Sequence, residues 1–436
     1  MNTTPEETSP QSGATIRKPI DPARLDDLRT LLTSIGDDIN GNPHVPFAQF
    51  ASVHFMTWFI VDADDVTGPL LFLELNVDGP IESSLRDIVA KARPGIDLIY
   101  GHCTGYPASA TDDHVADYLA KDNIGYDCYY IGWRGLTVDR ILAERKLRVT
   151  LEGVLDAKGD AALAAMTPAA VRTMIQDHVK SEPELAWART FPPRPFLVRY
   201  GDYILTAVGI LAALLLVGLA ILGWPWWDLA IIAVIVALVA YLRHKERTDS
   251  IASAQPDHSQ VEDVAALENR VVQNHFASVE PVKPGPFRYV LLKSVLKLIH
   301  VLAAVTLNKG NLSGIATIHF ARWVVIDGGR RLLFLSNYDG SWENYLDDFI
   351  DRASTGITAI WSNTVGFPRS YFLAFGGATD ELRFKTIVRR SQVPSLAWYS
   401  AYPDLSVQNI RANAAIREGL FAPMDAKAEQ TWLALF

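Results

Sequence analysis

A chain of 436 residues is long enough for two or three domains, and its net charge of −9 lacks the basic excess that phosphate backbones demand, so no nucleic acid is expected as a partner. Its two cysteines, Cys103 and Cys128, give no disulfide framework and point to a reduced compartment. The hydrophobic fraction of 49% and mean hydropathy of +0.11 come from an excess concentrated in one segment rather than spread along the chain.

In chain order, residues 1–20 are polar and rich in Thr, Ser and Pro, and read as a disordered tail without the apolar stretch of a secretory signal. A first α+β module is expected over 21–150, opened by a Leu-rich helix from Pro22 to Ile35 and then a strand from Val53 to Val61, aromatic and β-branched. A second strand ends at Asp78. Residues 151–200 form a helical connector.

Tyr203 to Leu242 is expected to be a transmembrane hairpin, within a segment set at 201–243. Tyr203–Gly223 carries no charge, and ~20 residues at ~1.5 Å each match the ~30 Å of hydrocarbon. Trp224, Pro225, Trp226 and Trp227 form an interfacial turn, and a second apolar run follows to Leu242. Apolarity on all faces of both helices favours a bilayer over a buried helical hairpin. Arg194 and Arg199 before the hairpin, and Arg243, Lys245 and Arg247 after it, place both flanks inside by the positive-inside rule. The expectation is an inner (plasma) membrane protein with two helices, both termini cytoplasmic and the lipid bilayer as partner.

Residues 244–285 read as a linker with a short helix over Gln260–His275, and a second α+β module is expected over 286–422 before a tail at 423–436. That module repeats the first. His54–Asp62 matches His319–Asp327, Leu71–Gly79 matches Leu332–Gly340, and Gly105-Tyr106-Pro107 matches Gly366-Phe367-Pro368. The second copy is read as a helix from Phe287 to Leu307, a hairpin about Gly328-Gly329, and a helix capped by Ser341. A strand at Ile357–Trp361, a helix at Thr379–Arg390, a strand at Ser395–Tyr402 and a helix at Val407–Leu420 complete it. The order is ββαβαβα in each copy.

Reflecting each hairpin about its turn brings His319 against Asp339 and His54 against Asp78. A carboxylate beside an imidazole fixes its tautomer and raises its pKa, as a general base or ligand requires, while the same pair can be a structural bond. The second copy adds cationic and aromatic residues suited to an anionic or planar ligand: Arg322, Trp323, Arg369, Arg389, Arg390, Trp398 and Tyr399. His54, His102 and Cys103 offer soft donors, but no CxxC or HxxxH spacing supports a metal site. No GxGxxG, Walker, HExxH or GxSxG motif occurs.

Two linked sheets of this size resemble the ferredoxin-like, dimeric α/β-barrel group, which includes dye-decolourising peroxidases and chlorite dismutases. Ser336-Asn337-Tyr338-Asp339-Gly340 is similar to the GxxDG motif of the former, with serine in place of its first glycine. The resemblance implies two ferredoxin-like modules packed as a pseudo-dimer. It also implies a haem in the second, with Asp339 as distal acid and Arg322 or Arg369 as distal arginine. No position matches the proximal histidine, and His319 lies too near Asp339 to face it across a haem plane. Two readings stand. One is a membrane-anchored protein whose modules bind a small ligand or a partner protein, and the other is a haem-dependent oxidoreductase using His319, Asp339, Arg322 and Arg369 for catalysis and Trp323, Trp398 and Tyr399 against the cofactor.

Overall fold

The computed structural model describes residues 10–190, 196–222, 225–251, 272–306, 312 and 314–436. The first half begins with β1 (Gln11–Pro19), α1 (Leu25–Asp37), β2 (Val53–Val61), β3 (Leu70–Asp78), α2 (Ile81–Tyr100), α3 (Asp112–Lys121) and β4 (Cys128–Ile131). It continues through α4 (Val138–Lys158), α5 (Asp160–Ala164), α6 (Pro168–Ser181), α7 (Phe196–Leu222) and α8 (Pro225–Thr248). The second half has β5 (Gln273–Pro281), α9 (Pro286–Val305), β6 (Ile318–Ile326), β7 (Arg331–Asp339), α10 (Trp342–Trp361), β8 (Ser370–Tyr371) and β9 (Phe375–Gly376). It ends with α11 (Glu381–Ser391), β10 (Ser395–Ser400), α12 (Val407–Leu420) and α13 (Ala426–Leu433). The fold is α+β, with antiparallel sheets.

Two four-stranded sheets run β1-β3-β2-β10 and β4-β6-β7-β5. Each half therefore gives its last strand to the other half's sheet. Cys128–Ile131 pairs with Phe320–Trp323, and Ser395–Ser400 pairs with Phe55–Phe59. Before crossing, each chain segment bonds the edge strand of its own half: Ile124 N donates to Thr15 O at 2.8 Å, and Val393 N to Ala277 O at 2.8 Å. The β1 and β5 edges are thus joined to the neighbouring sheet instead of being left open for further pairing.

Strand periodicity explains why the hairpins are apolar along their whole length. Met56, Trp58 and Ile60 pack with Leu71, Leu73 and Leu75 under α1 and α2, while Phe59, Val61, Leu70 and Phe72 face Val324, Ile326, Leu333 and Leu335 across the gap between sheets. A strand buried on both faces needs apolar residues at odd and even positions alike. Trp323, Phe334, Phe349 and Trp361 form the corresponding helix-side core of the second half. A further cluster of Leu147, Leu151, Ile175, Ile416 and Trp432 joins α4, α6, α12 and α13.

Several expectations change. Gln11–Pro19 is strand, not tail; residues 1–9 lie outside the described residues. The expected helix at Gln260–His275 falls mostly outside them too, and from Gln273 the linker is β5. No strand forms at Ile357–Trp361. Ile357, Ile360 and Trp361 continue one buried helical face in α10, with the spacing of three and four that a helix requires. The order is βαββααβα in the first half, and the second repeats it with the short β8–β9 pair inserted between α10 and α11; in each the strand before the closing helix is exchanged.

The transmembrane hairpin is corrected. Among the described residues no helix is long and apolar enough to cross a membrane. The expected turn of Trp224, Trp226 and Trp227 lies outside the described residues and side chains. The membrane anchor, the plasma-membrane location and the cytoplasmic placement of both termini that rested on the hairpin are withdrawn.

Candidate functional site

His54 and His319 occupy equivalent irregularities, where the register of β2 and β6 shifts between Val53 and Phe55 and between Ile318 and Phe320. The extra residue of a bulge re-aims its side chain. His54 Nε2 lies 2.9 Å from Asp78 Oδ1, and His319 Nε2 lies 2.7 Å from Asp339 Oδ1. The second oxygen of each carboxylate accepts a backbone N–H at the start of the helix after the exchanged strand: Val138 at 2.8 Å for Asp78, Val407 at 2.7 Å for Asp339. A carboxylate at a helix N-terminus is favourable both as acceptor and as charge. Each pair thereby fastens α4 or α12 to the base of a hairpin, a structural tie made twice.

Arg322 lies between the sheets, fully buried, away from this pair. Its Nη1 donates to Ala14 O at 2.6 Å, its Nη2 donates to Leu75 O at 2.8 Å, and Nη2 stands 3.4 Å from Glu74 Oε1. Glu74 in turn meets His275 Nε2 at 2.6 Å and accepts from Asn76 Nδ2 at 3.0 Å and Asn337 Nδ2 at 3.3 Å. Burial pushes the Glu74 carboxyl up, but the Arg322 and His275 charges and the hydrogen bonds outweigh it and hold the group at about 2. Room for the guanidinium comes from Gly13: a Cβ there would stand 2.8 Å from Tyr129 and 2.9 Å from Arg322 Nη2. The repeat places Thr57 where the second half has Arg322 and Leu335 where the first has Glu74, so this ion network joins unlike positions of the two halves.

The other expected site residues are dispersed. Arg369 is exposed on the loop before β8. Trp323 stacks on Phe334 at 4.7 Å in the second helix-side core, and Tyr399 stacks on Phe47 at 5.1 Å in the first. Trp398 donates from Nε1 to Asn337 Oδ1 at 3.0 Å between the sheets. These residues do not fit a haem: the histidine is bonded to the would-be distal acid, and Arg322 is committed to Glu74. Burial raises the Cys103 thiol to about 12, which leaves no thiolate for nucleophilic attack. Among the described residues no group of three or more His, Cys, Asp and Glu is placed to hold a metal ion.

A chemically incomplete site lies instead under the helices of the second half. Phe276, Ser278 and Glu280 alternate along β5 toward α10 and α11, where Phe334, Phe349, Trp361 and Phe384 enclose a space of about 10 Å³. Glu280 Oε1 accepts from Ser391 Oγ at 2.9 Å. Glu280 Oε2, Ser278 Oγ and Trp361 Nε1 are buried and make no hydrogen bond of normal geometry, but the serine and the indole stand close enough to the carboxyl to act on it as donors. Burial raises this carboxyl to about 7, against the smaller opposing effect of the nearby donors. On the outer side of the same two helices, Trp342, Leu382, Lys385 and Arg389 line a groove of about 400 Å³. Across that groove α10 and α11 are bridged by side chains, Lys385 to Asp347 at 2.5 Å and Arg389 over the Trp342 ring at 3.5 Å.

Sequence reasoning missed Glu74, His275, Glu280 and Trp361. For Glu74 the signal was present: one acid inside LFLELNV, in a strand otherwise apolar, requires a buried partner. Glu280 gave no such signal, because β5 read as linker. A third unforeseen feature is the β8–β9 turn, where Phe372 (φ 56°) and Leu373 (φ 60°) are left-handed. Their amides donate to buried Glu246 of α8 at 3.0 and 2.9 Å. No protein-family model matches this chain, and no curated protein or solved structure matches it.

Proposed function

We propose that this protein binds a small molecule in the second half, in the seam between α10 and α11. The observation that carries the reading is Glu280 in its aromatic-lined chamber. Pockets that bind small molecules are mostly apolar with a few convergent polar groups, and a buried polar group short of hydrogen bonds calls for an explanation, of which a bound molecule is one. We further read the halves as two ferredoxin-like modules packed as a pseudo-dimer, an arrangement supported by the shared hairpin register, the matched bulges and the repeated His–Asp tie. In this reading one copy of the module serves structure and the other binding.

Titration of the full chain with small aromatic molecules, followed by ligand-detected NMR and thermal shift, tests the proposal. Binding is expected in the native chain and lost when Val388→Phe fills the chamber, with the far-ultraviolet circular dichroism unchanged. Absence of binding, or binding indifferent to that substitution, defeats the reading.

A further inference from the structure

We infer that the chamber takes a hydroxyl group, so that the ligand class is a compact phenol or apolar alcohol whose oxygen sits among Glu280, Ser278 and Trp361. This deepens the binding reading above and rests on it. The indole Nε1–H can only donate, a serine hydroxyl can donate or accept, and a carboxyl accepts when ionised and donates when protonated. The group that completes all three must therefore accept from the indole and exchange a hydrogen bond with the carboxyl. A hydroxyl does both. An ammonium only donates and leaves the indole unpaired; a carboxylate only accepts and would face Glu280 with like charge; a methyl group satisfies none of them. Size agrees with chemistry, since about 10 Å³ admits one oxygen-sized group and no more.

The surroundings specify the remainder of the ligand. Phe276, Phe334, Phe349 and Phe384 line the chamber, a surface for a ring or short alkyl body. That body needs more space than the closed chamber offers, and the yielding element is α11. Side chains, not close backbone packing, hold it to α10: Lys385 pairs with Asp347 at 2.5 Å and Arg389 with Glu343 at 3.4 Å, and its last residue, Ser391, holds the other oxygen of Glu280. The equivalent site in the first half is closed by its own chemistry: Lys18 matches Glu280 in register and binds Asp122 at 2.5 Å, and Trp58 Nε1 donates to Tyr100 OH at 3.2 Å.

The test compares phenol, toluene and benzylamine, three probes of nearly one shape, on the full-length protein by ligand-detected NMR and calorimetry. Phenol is expected to bind about tenfold or more tightly than the other two, the worth of one or two buried hydrogen bonds. Ser278→Ala and Glu280→Leu should each weaken phenol roughly five- to tenfold and leave toluene unchanged, whereas Glu280→Gln, which keeps a donor and an acceptor, should hold phenol within about threefold. Equal binding of toluene or benzylamine overturns the hydroxyl assignment while the binding reading stands. Phenol affinity unmoved by both Ser278→Ala and Glu280→Leu overturns it as well, and failure of all three probes removes both readings together.

Discussion

The helix-side cores of the two halves occupy equivalent places under equivalent sheets and differ in how their polar atoms are satisfied. In the first, Lys18 reaches Asp122 and the carbonyl of Tyr118, and Trp58 donates to Tyr100. In the second, Trp361 replaces that tyrosine, the indole of Trp323 has no acceptor, and Glu280, Ser278 and Trp361 stand together without a hydrogen bond of normal geometry on one carboxyl oxygen. A buried polar group without a partner costs about 1–3 kcal/mol, so a fold that tolerates several in one half and resolves them in the other is asymmetric at that half's expense. Duplication preserves the frame; the interior under one pair of helices is free to specialise.

The largest expected effect tests whether the halves can be compared at all, since it removes what joins them. Arg322→Met strands Glu74 between the sheets and should cost about 3–5 kcal/mol at pH 7 by denaturant titration. That loss should shrink in acid. Glu74 is lowered from 4.5 to about 2, so its pairing contributes fully above roughly pH 4.5 and is lost as the pH falls toward 2. A variant equally destabilised at pH 7 and pH 3 contradicts the charge network as the cause.

Next comes Glu280→Gln, which sharpens the contrast in the opposite direction. The folded carboxyl titrates at about 7 and the free one near 4.5, so the native chain keeps a proton that the unfolded chain releases between those values. Stability therefore falls as the pH rises from about 4.5 to 7 and stays lower above. The amide should remove that penalty, raising stability by up to about 3 kcal/mol at pH 8 and by far less at pH 5. A gain independent of pH refutes the assignment of that titration to Glu280.

Tyr100→Phe imposes on the first half the condition native to the second, an indole N–H left without an acceptor. It should cost about 1–2 kcal/mol, while Trp361→Tyr, offering Trp323 an acceptor, should cost less than the lost ring area implies. Thermal unfolding of the pair reads this directly, and equal penalties break the comparison. The smallest effect belongs to the symmetric ties. Asp78→Asn and Asp339→Asn each weaken one charged acceptor at a helix N-terminus, for about 1 kcal/mol apiece and with little difference between halves. A marked activity or binding loss confined to Asp339→Asn would restore a functional role to that pair.

The hairpins, the His–Asp contacts and the helix at Val407–Leu420 were legible because they depend on local alternation, on reflection about a turn and on a repeat that states each pattern twice. Strand β1 was not, since QSGATIRKP is short, polar at several positions and contains Gly13, whose purpose is visible only with Arg322 against it. The apolar run over 203–242 was legible as composition, whereas among the described residues no helix is long and apolar enough to cross a membrane. Sequence alone determined which residues form strands in each hairpin, that there are two copies, and which acid sits beside which imidazole, because these follow from neighbours along the chain and from register. Only the tertiary structure decided that the fourth strands exchange, that Arg322 serves Glu74 rather than Asp339, and that Glu280 is buried half-satisfied. A repeat pairs as well with its own copy as with the other, and the partner of a buried charge lies hundreds of residues away, where no local periodicity can point to it.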